Sequence, residues 1–122
     1  MNIAPAAWRN GAGLVLASVL LAGCNTPKPL YQWESYQPQV YEYFNGDSKQ
    51  EQALALERDL EKIKAKNGAV PPGYHAQLGL LYSSLGKHDQ MIQQFNAEKA
   101  LFPESTTYMD FLLSNAGKGV KP

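Results

Sequence analysis

The chain has 122 residues, 44% of them hydrophobic, with 11 basic and 11 acidic side chains and a single cysteine. That length suits one small domain. The balanced charge argues against a nucleic-acid surface and against a polybasic patch for anionic lipid; one cysteine excludes an intrachain disulfide.

The first two dozen residues differ in kind from the rest. Arg9 and the amino terminus supply a positive start, and Gly11 to Ala22 form an apolar run broken only by Ser18. A membrane-spanning helix needs about 20 apolar residues, so this shorter run suits the apolar region of a signal peptide. It ends in Leu21-Ala22-Gly23-Cys24, which resembles the lipobox of bacterial lipoproteins. Small residues before the cut fit a narrow peptidase site, and the Cys24 thiol is the nucleophile that takes up diacylglycerol. We expect residues 1–23 to be a cleaved signal peptide and Cys24 to be the lipidation site that tethers the chain to a membrane. Stable anchoring takes more than one acyl chain, and the resemblance implies two or three. Asn25 follows the cysteine in place of the aspartate that retains many enterobacterial lipoproteins in the inner membrane. That favours an outer-membrane location on the periplasmic side.

Taking residues 1–23 from the 122 leaves 99. Arg9 leaves with them, so 10 basic residues face 11 acidic ones and the side-chain charge is −1. With its thiol acylated, the mature domain must draw its stability from its core.

Residues 24–30 read as the lipidated cysteine and a polar, proline-rich tether. An aromatic cluster follows: Tyr31, Trp33, Tyr36, Tyr41, Tyr43 and Phe44. Pro38 suits a helix start and Asn45-Gly46 a helix end, which predicts a short helix over 38–45 with Val40 and Phe44 on one face. Ser48 and Glu51 make an S-x-x-E capping box. Leu56, Leu60 and Ile63 then mark an apolar stripe, and the charges of 57–66 read as a solvated helix face. Asn67-Gly68 closes this helix, and Pro71-Pro72-Gly73 makes a stiff turn.

From Tyr74, a helix carries Leu78, Leu81, Tyr82 and Leu85, and Gly86 stops it. The next runs from about Asp89 to Leu101, with Met91, Ile92 and Phe95 expected inward, and Pro103 ends it. Ser105 is expected to cap a last helix carrying Tyr108, Met109, Leu112 and Leu113, before a flexible tail at 115–122. No segment shows strand alternation with turn chemistry. The fold class is therefore all-α, a short helical stack over residues 31–114.

Residues 72–105 span 34 positions, one tetratricopeptide length. Leu78-Gly79, Tyr82, Gly86, Phe95 and Pro103 fall where that repeat wants those types, so this segment resembles one tetratricopeptide-like hairpin. Met91 and Glu98 stand where the repeat has small residues, and we expect looser or locally different packing there. A lone unit cannot bury both faces, so the flanking helices must cover it.

The residue string also resembles a family. Tyr31-x-Trp33-x-x-Tyr36, Tyr41-x-Tyr43, Pro71-Pro72-Gly73-Tyr74-x-Ala76-x-Leu78-Gly79 and Phe95-x-x-Glu98-Lys99 look like the DUF4810 family of small bacterial lipoproteins. Phe102-Pro103-Glu104-Ser105 and Met109-Asp110 complete the likeness, which extends from about 30 to 114. The family carries no established function. Its members tend to be encoded beside a lipoprotein of the curli-secretion-channel type, so the resemblance implies an envelope complex.

We find no catalytic constellation in the sequence and expect neither an enzyme nor a cofactor. His75 and His88 lack the spacing of a metal motif and are expected at the surface or at helix ends. Glu57 and Glu61 sit among lysines on a presumed wet face, unsuited to an acid that must hold its proton. No nucleic-acid partner and no small-molecule substrate are indicated. Tyr31, Trp33 and Tyr36 are the candidate partner-binding residues, since aromatic side chains dominate protein interfaces; their alternative role is to complete the core, with Tyr31 and Trp33 the more exposed. The expected function is a membrane-anchored interaction or assembly module contacting another envelope protein. The alternative is an accessory factor of an envelope enzyme, for example one acting on peptidoglycan, or an enzyme in its own right.

Overall fold

The computed structural model describes residues 27–116 and residue 118. Five α-helices follow one another: α1 (Tyr36–Asn45), α2 (Lys49–Ala65), α3 (Tyr74–Ser84), α4 (His88–Leu101) and α5 (Thr106–Ala116). A single 3₁₀ turn, Pro103–Ser105, precedes α5, and no strand occurs among the described residues. Each helix packs on the next in sequence, α3 and α4 most extensively. The all-α stack expected from the periodicity is what forms.

α3 is the centre of the stack. Tyr74, His75, Gln77, Leu78, Gly79, Leu81 and Tyr82 are all buried. The helix is covered most of the way round, with α2 and α4 packed on it. From α2 come Ala53, Leu56, Leu60 and Ile63; from α4 come Met91 and Phe95; Met109 of α5 closes the far side. Tyr74 and Tyr82 carry hydroxyls into this interior, and each finds an acceptor on α2. Tyr74 donates to the Leu56 carbonyl at 2.7 Å, and Tyr82 donates to the Glu57 carboxylate. Burial pushes both phenols well above their ordinary value; the Asp59 and Glu34 charges reinforce this at Tyr74, as the Glu57 hydrogen bond and charge do at Tyr82.

The helix boundaries follow local chemistry. Ser48 Oγ accepts from the Glu51 N–H at 3.4 Å, the predicted half of the capping box. α2 ends where Asn67 turns left-handed, at φ 51°, and the Gly68 N–H returns to the Ile63 carbonyl at 2.9 Å. Gly73 and Gly86 supply the positive φ angles, 85° and 71°, that begin α3 and end it.

Several expectations need correction. α1 begins at Tyr36 instead of residue 38, because the Gln39 N–H reaches the Ser35 carbonyl at 3.0 Å; Pro38 stays within the first turn, where its missing N–H costs nothing. Its inward face is Tyr36, Gln39 and Tyr43, while Phe44 is 81% exposed. Ile92 is 43% exposed, because α4 turns Met91, Phe95 and Glu98 inward. Ser105 does not cap α5: its hydroxyl donates to the Phe102 carbonyl at 2.7 Å and belongs to the 3₁₀ turn. Tyr108 on α5 is exposed, and the helix continues to Ala116, past the residue 114 where the domain was expected to end.

Of the two courses expected at Glu98, the packing is locally different and not loose. The residue is 2% exposed, and the packing around it is specific. One carboxylate oxygen accepts from the Gly73 N–H at 2.6 Å and the other from the Ala76 N–H at 3.2 Å. These are first-turn donors of α3, which have no partner within their own helix. A side chain of α4 thus caps α3 from across the hairpin, where the helix dipole favours a negative charge.

Gly79 lies under the Phe95 ring. A Cβ at this position would stand 2.5 Å from Phe95 Cε1. Gly79→Leu should cost about 1–3 kcal/mol by overpacking, which corresponds to a melting temperature lower by roughly 4–8 °C for each kcal/mol in a domain of this size. Thermal denaturation followed by circular dichroism measures it; an unchanged midpoint would show that the ring is not held against the glycine.

Candidate functional site

The candidate residues sit on a segment that is not itself helical. Residues 27–35 cross the end of α2 and the α2–α3 connection before turning into α1. Four attachments hold this segment. The Gln32 N–H donates to the Ala69 carbonyl at 2.9 Å. Glu34 pairs with Lys66 at 3.0 Å. The Ser35 N–H and hydroxyl both donate to Asp59, the former at 3.0 Å. The Tyr36 ring stacks on Tyr74, with centroids 5.3 Å apart.

The rings form a continuous series. Tyr31 meets Phe102 edge-on at 6.3 Å and Trp33 at 6.4 Å. Trp33 lies 5.9 Å from Tyr36, and Tyr36 leads to the buried Tyr74. Aromatic pairs at such separations add about 0.5–1.5 kcal/mol beyond their buried area. The three candidates are therefore brought together, but not equivalently. Tyr36 covers the core at the start of α3; burial, helped by the Glu98 charge, pushes its phenol upward. Tyr31 is half-buried against Phe102. Trp33 is 40% exposed and is the member that presents a large apolar face to solvent. The fourth site residue, Cys24, lies outside the described residues, as do the signal segment at 1–23 and most of the tail.

Asp59 belongs by sequence to the charge run of a solvated helix face, yet the fold buries it. It is 4% exposed. Lys62 pairs with it at 2.7 Å, and Ser35 supplies two further hydrogen bonds. Its position was a usable signal: residues 56, 59, 60 and 63 share one face of a helix, so Asp59 stands inside the apolar stripe. Glu57 also leaves the wet face by accepting from Tyr82, whereas Glu61 remains outside, paired with Lys64 at 3.0 Å. The histidines stay apart in role. Both histidines stand at helix starts, as expected: His75 is buried in the first turn of α3 and shares a 2.7 Å hydrogen bond between its Nδ1 and Gln94 Oε1, and His88 is exposed at the start of α4. Among the described residues no group of three or more His, Cys, Asp or Glu is arranged to hold a metal ion.

Burial alone would push the Asp59 carboxyl up, but the hydrogen bonds from Lys62 and Ser35 outweigh it and hold the group below its usual range. A depressed folded-state value means that the contribution is present above the unfolded carboxylate value and is lost as pH falls through the folded one. The 31–35 segment should therefore loosen in acid before the stack melts. Trp33 fluorescence, read in a Trp8→Phe background, should report this release below the ordinary carboxylate range. Asp59→Ala should remove the acid step and cost about 1–3 kcal/mol, because it strands the two partly buried Ser35 donors. A Trp33 signal that is flat with pH in both proteins would show that Asp59 does not hold the segment.

Comparison with known proteins gives one positive finding. The model of the family described as "Domain of unknown function (DUF4810)" matches residues 30–112. No curated protein and no solved structure matches. The matched span takes in the pinned aromatic segment, the capped hairpin and α5 up to Leu112, and the chain belongs to the DUF4810 family.

Proposed function

We propose that this chain is a lipid-anchored module of the bacterial cell envelope that binds another envelope protein. Lipid on Cys24 holds it in the outer membrane facing the periplasm, and the helical stack presents a docking surface beside the tether. The observation that carries the reading is Trp33: a tryptophan 40% exposed, on a segment fixed by Asp59 and the Tyr36–Tyr74 stack, directly after the proline-rich linker. Fixed aromatic side chains bind well because little side-chain freedom remains to be lost. No helix among the described residues is long and apolar enough to cross a membrane; in this reading the attachment is lipid on the lipobox cysteine.

Within this reading, α3 and α4 form a tetratricopeptide-like hairpin. Phe95 against Gly79, Tyr82 in the groove and Gly86 at the turn occupy the roles that the repeat gives to those positions. Stacks of this type commonly present binding surfaces to other proteins. The partner favoured by the family resemblance is a lipoprotein of the curli-secretion-channel type.

Two experiments test the proposal. Cys24→Ser should leave uncleaved precursor that takes up no radiolabelled palmitate; label entering the variant would exclude Cys24 as the acceptor. Recovery of the wild-type protein in the inner-membrane fraction would overturn the location. For the partner, crosslinking in intact cells should capture an envelope protein. Tyr31→Ala and Trp33→Ala should reduce that capture, since truncating a buried aromatic anchor typically costs about 2 kcal/mol or more, roughly thirtyfold in affinity. Folded variants that capture the same partner equally well would assign the segment to packing alone. A wild type that captures nothing while the purified protein turns over an envelope substrate would replace the interaction reading with an enzymatic one.

A further inference from the structure

The end of the domain beside the tether carries an open cleft. Lys28, Pro29 and Leu30 line it from the N-terminal segment, and Lys66, Asn67 and Ala69 from the end of α2 and the α2–α3 connection. All six are exposed, Leu30 at 77%. Glu34 pairs with Lys66. Lys28 takes part in no ion pair among the described residues, and among those residues no carboxylate lines the cleft. The surface therefore joins an exposed apolar side chain to a net positive charge.

A second observation is the length of chain between this cleft and the proposed anchor. Lys28 follows Cys24 by four residues and Leu30 by six, so they stand at most roughly 14 Å and 22 Å from it. The polar layer above the hydrocarbon core is itself on the order of 5–8 Å thick. Gln32, bonded to Ala69 at 2.9 Å, ties the folded domain to the same short reach. With acyl chains on Cys24 buried in that core, the bilayer is the one large surface that every copy of this cleft meets.

We propose that the cleft docks on the bilayer that holds the anchor. Leu30 enters the interfacial layer, and the Lys28 and Lys66 ammonium groups meet the phosphates of anionic phospholipid. Lysine divides itself in this way, with its stem on apolar surface and its charge in the polar layer. Buried apolar area and attraction to anionic lipid add together, and each lysine near such a surface contributes about fivefold in binding. Two lysines are too few to recruit a free protein, but a tether makes the encounter intramolecular. The inference rests on the proposed lipidation of Cys24 and goes beyond it: the lipid holds the domain near the membrane, and the cleft decides which end faces it. Trp33 does not line the cleft, so lipid docking and protein docking use different side chains.

The test uses the full acylated mature protein in phosphatidylcholine vesicles with and without phosphatidylglycerol. Intact mass first measures the acyl groups on Cys24. With that thiol blocked, a nitroxide is placed on Leu30→Cys, and in a second protein on Gln90→Cys, exposed near the start of α4 at the opposite end of the hairpin. In vesicles with phosphatidylglycerol, oxygen should reach the Leu30→Cys label more readily than a water-soluble nickel complex does, and the Gln90→Cys label should show the reverse. Lys28→Glu should lower the ratio of docked to undocked label at least fivefold without changing the melting temperature. Omitting phosphatidylglycerol or raising salt should lower it too. A chain without acyl mass on Cys24 would overturn the anchor and the docking together. An acylated chain whose Leu30→Cys label is as open to nickel as the Gln90→Cys label would overturn the docking alone, as would a label indifferent to Lys28→Glu and to vesicle charge. Protection in native envelopes but not in lipid vesicles would assign the cleft to a protein and overturn the lipid reading.

Discussion

The buried carboxylate of Glu98 is the contact on which the rest of the stack depends. An ionised group held 2% exposed is tolerated only when it is paired or well hydrogen-bonded. Here the partners are the free N–H groups at the start of α3, contributed by Gly73 and Ala76. The carboxylate satisfies those donors, and the helix terminus in turn solvates the carboxylate. This arrangement fixes the axial register of α3 against α4, which sets Phe95 over Gly79. It also fixes where α3 begins, which places Tyr74 beneath Tyr36.

The N-terminal segment is organised by a second inward carboxylate on a different helix. Asp59 gathers Ser35 and Lys62, as Glu98 gathers the first turn of α3. The two sites differ in consequence. Glu98 joins adjacent helices within the hairpin, so removing it undermines the core. Asp59 joins a non-helical segment to the outside of that core, so releasing it frees the aromatic series while α2 to α5 remain packed. The candidate binding residues are thus ordered by an interaction separable from the fold. Few buried contacts and partly exposed hydrogen bonds mark elements that open locally at low cost.

Much of this was legible in the sequence. The apolar periods of α2 and α3, the left-handed closures at Asn67 and Gly86, and the Pro-Pro-Gly turn located the hairpin to within a residue or two. The family likeness rested on residues whose roles are now visible, among them Gly73, Gly79, Phe95 and Glu98. What escaped were the polar residues that sit inside apolar stripes. Asp59 falls among Leu56, Leu60 and Ile63, and Glu98 continues the face of Met91 and Phe95; hydropathy assigns such residues to solvent, although their helical phase points inward. Their backbone donors are distant in sequence, 22 to 25 residues away, and no local pattern announces them. Ile92, Phe44 and Tyr108 failed in the opposite sense: each is apolar and outward, because neighbours one position away already fill the interior.

The attachment of Gln32 to Ala69 has a consequence for how the domain sits over a surface. On the proposed anchoring at Cys24, only residues 25–31 separate the lipidated cysteine from Gln32, a distance of at most roughly 25 Å. A leash that short would leave the protein little choice of height above a bilayer. The aromatic segment would then be confined to a thin layer above the lipid headgroups. Confinement of that kind raises the local concentration of any partner held in the same layer, so an interaction weak in free solution is sufficient between two proteins that share the membrane.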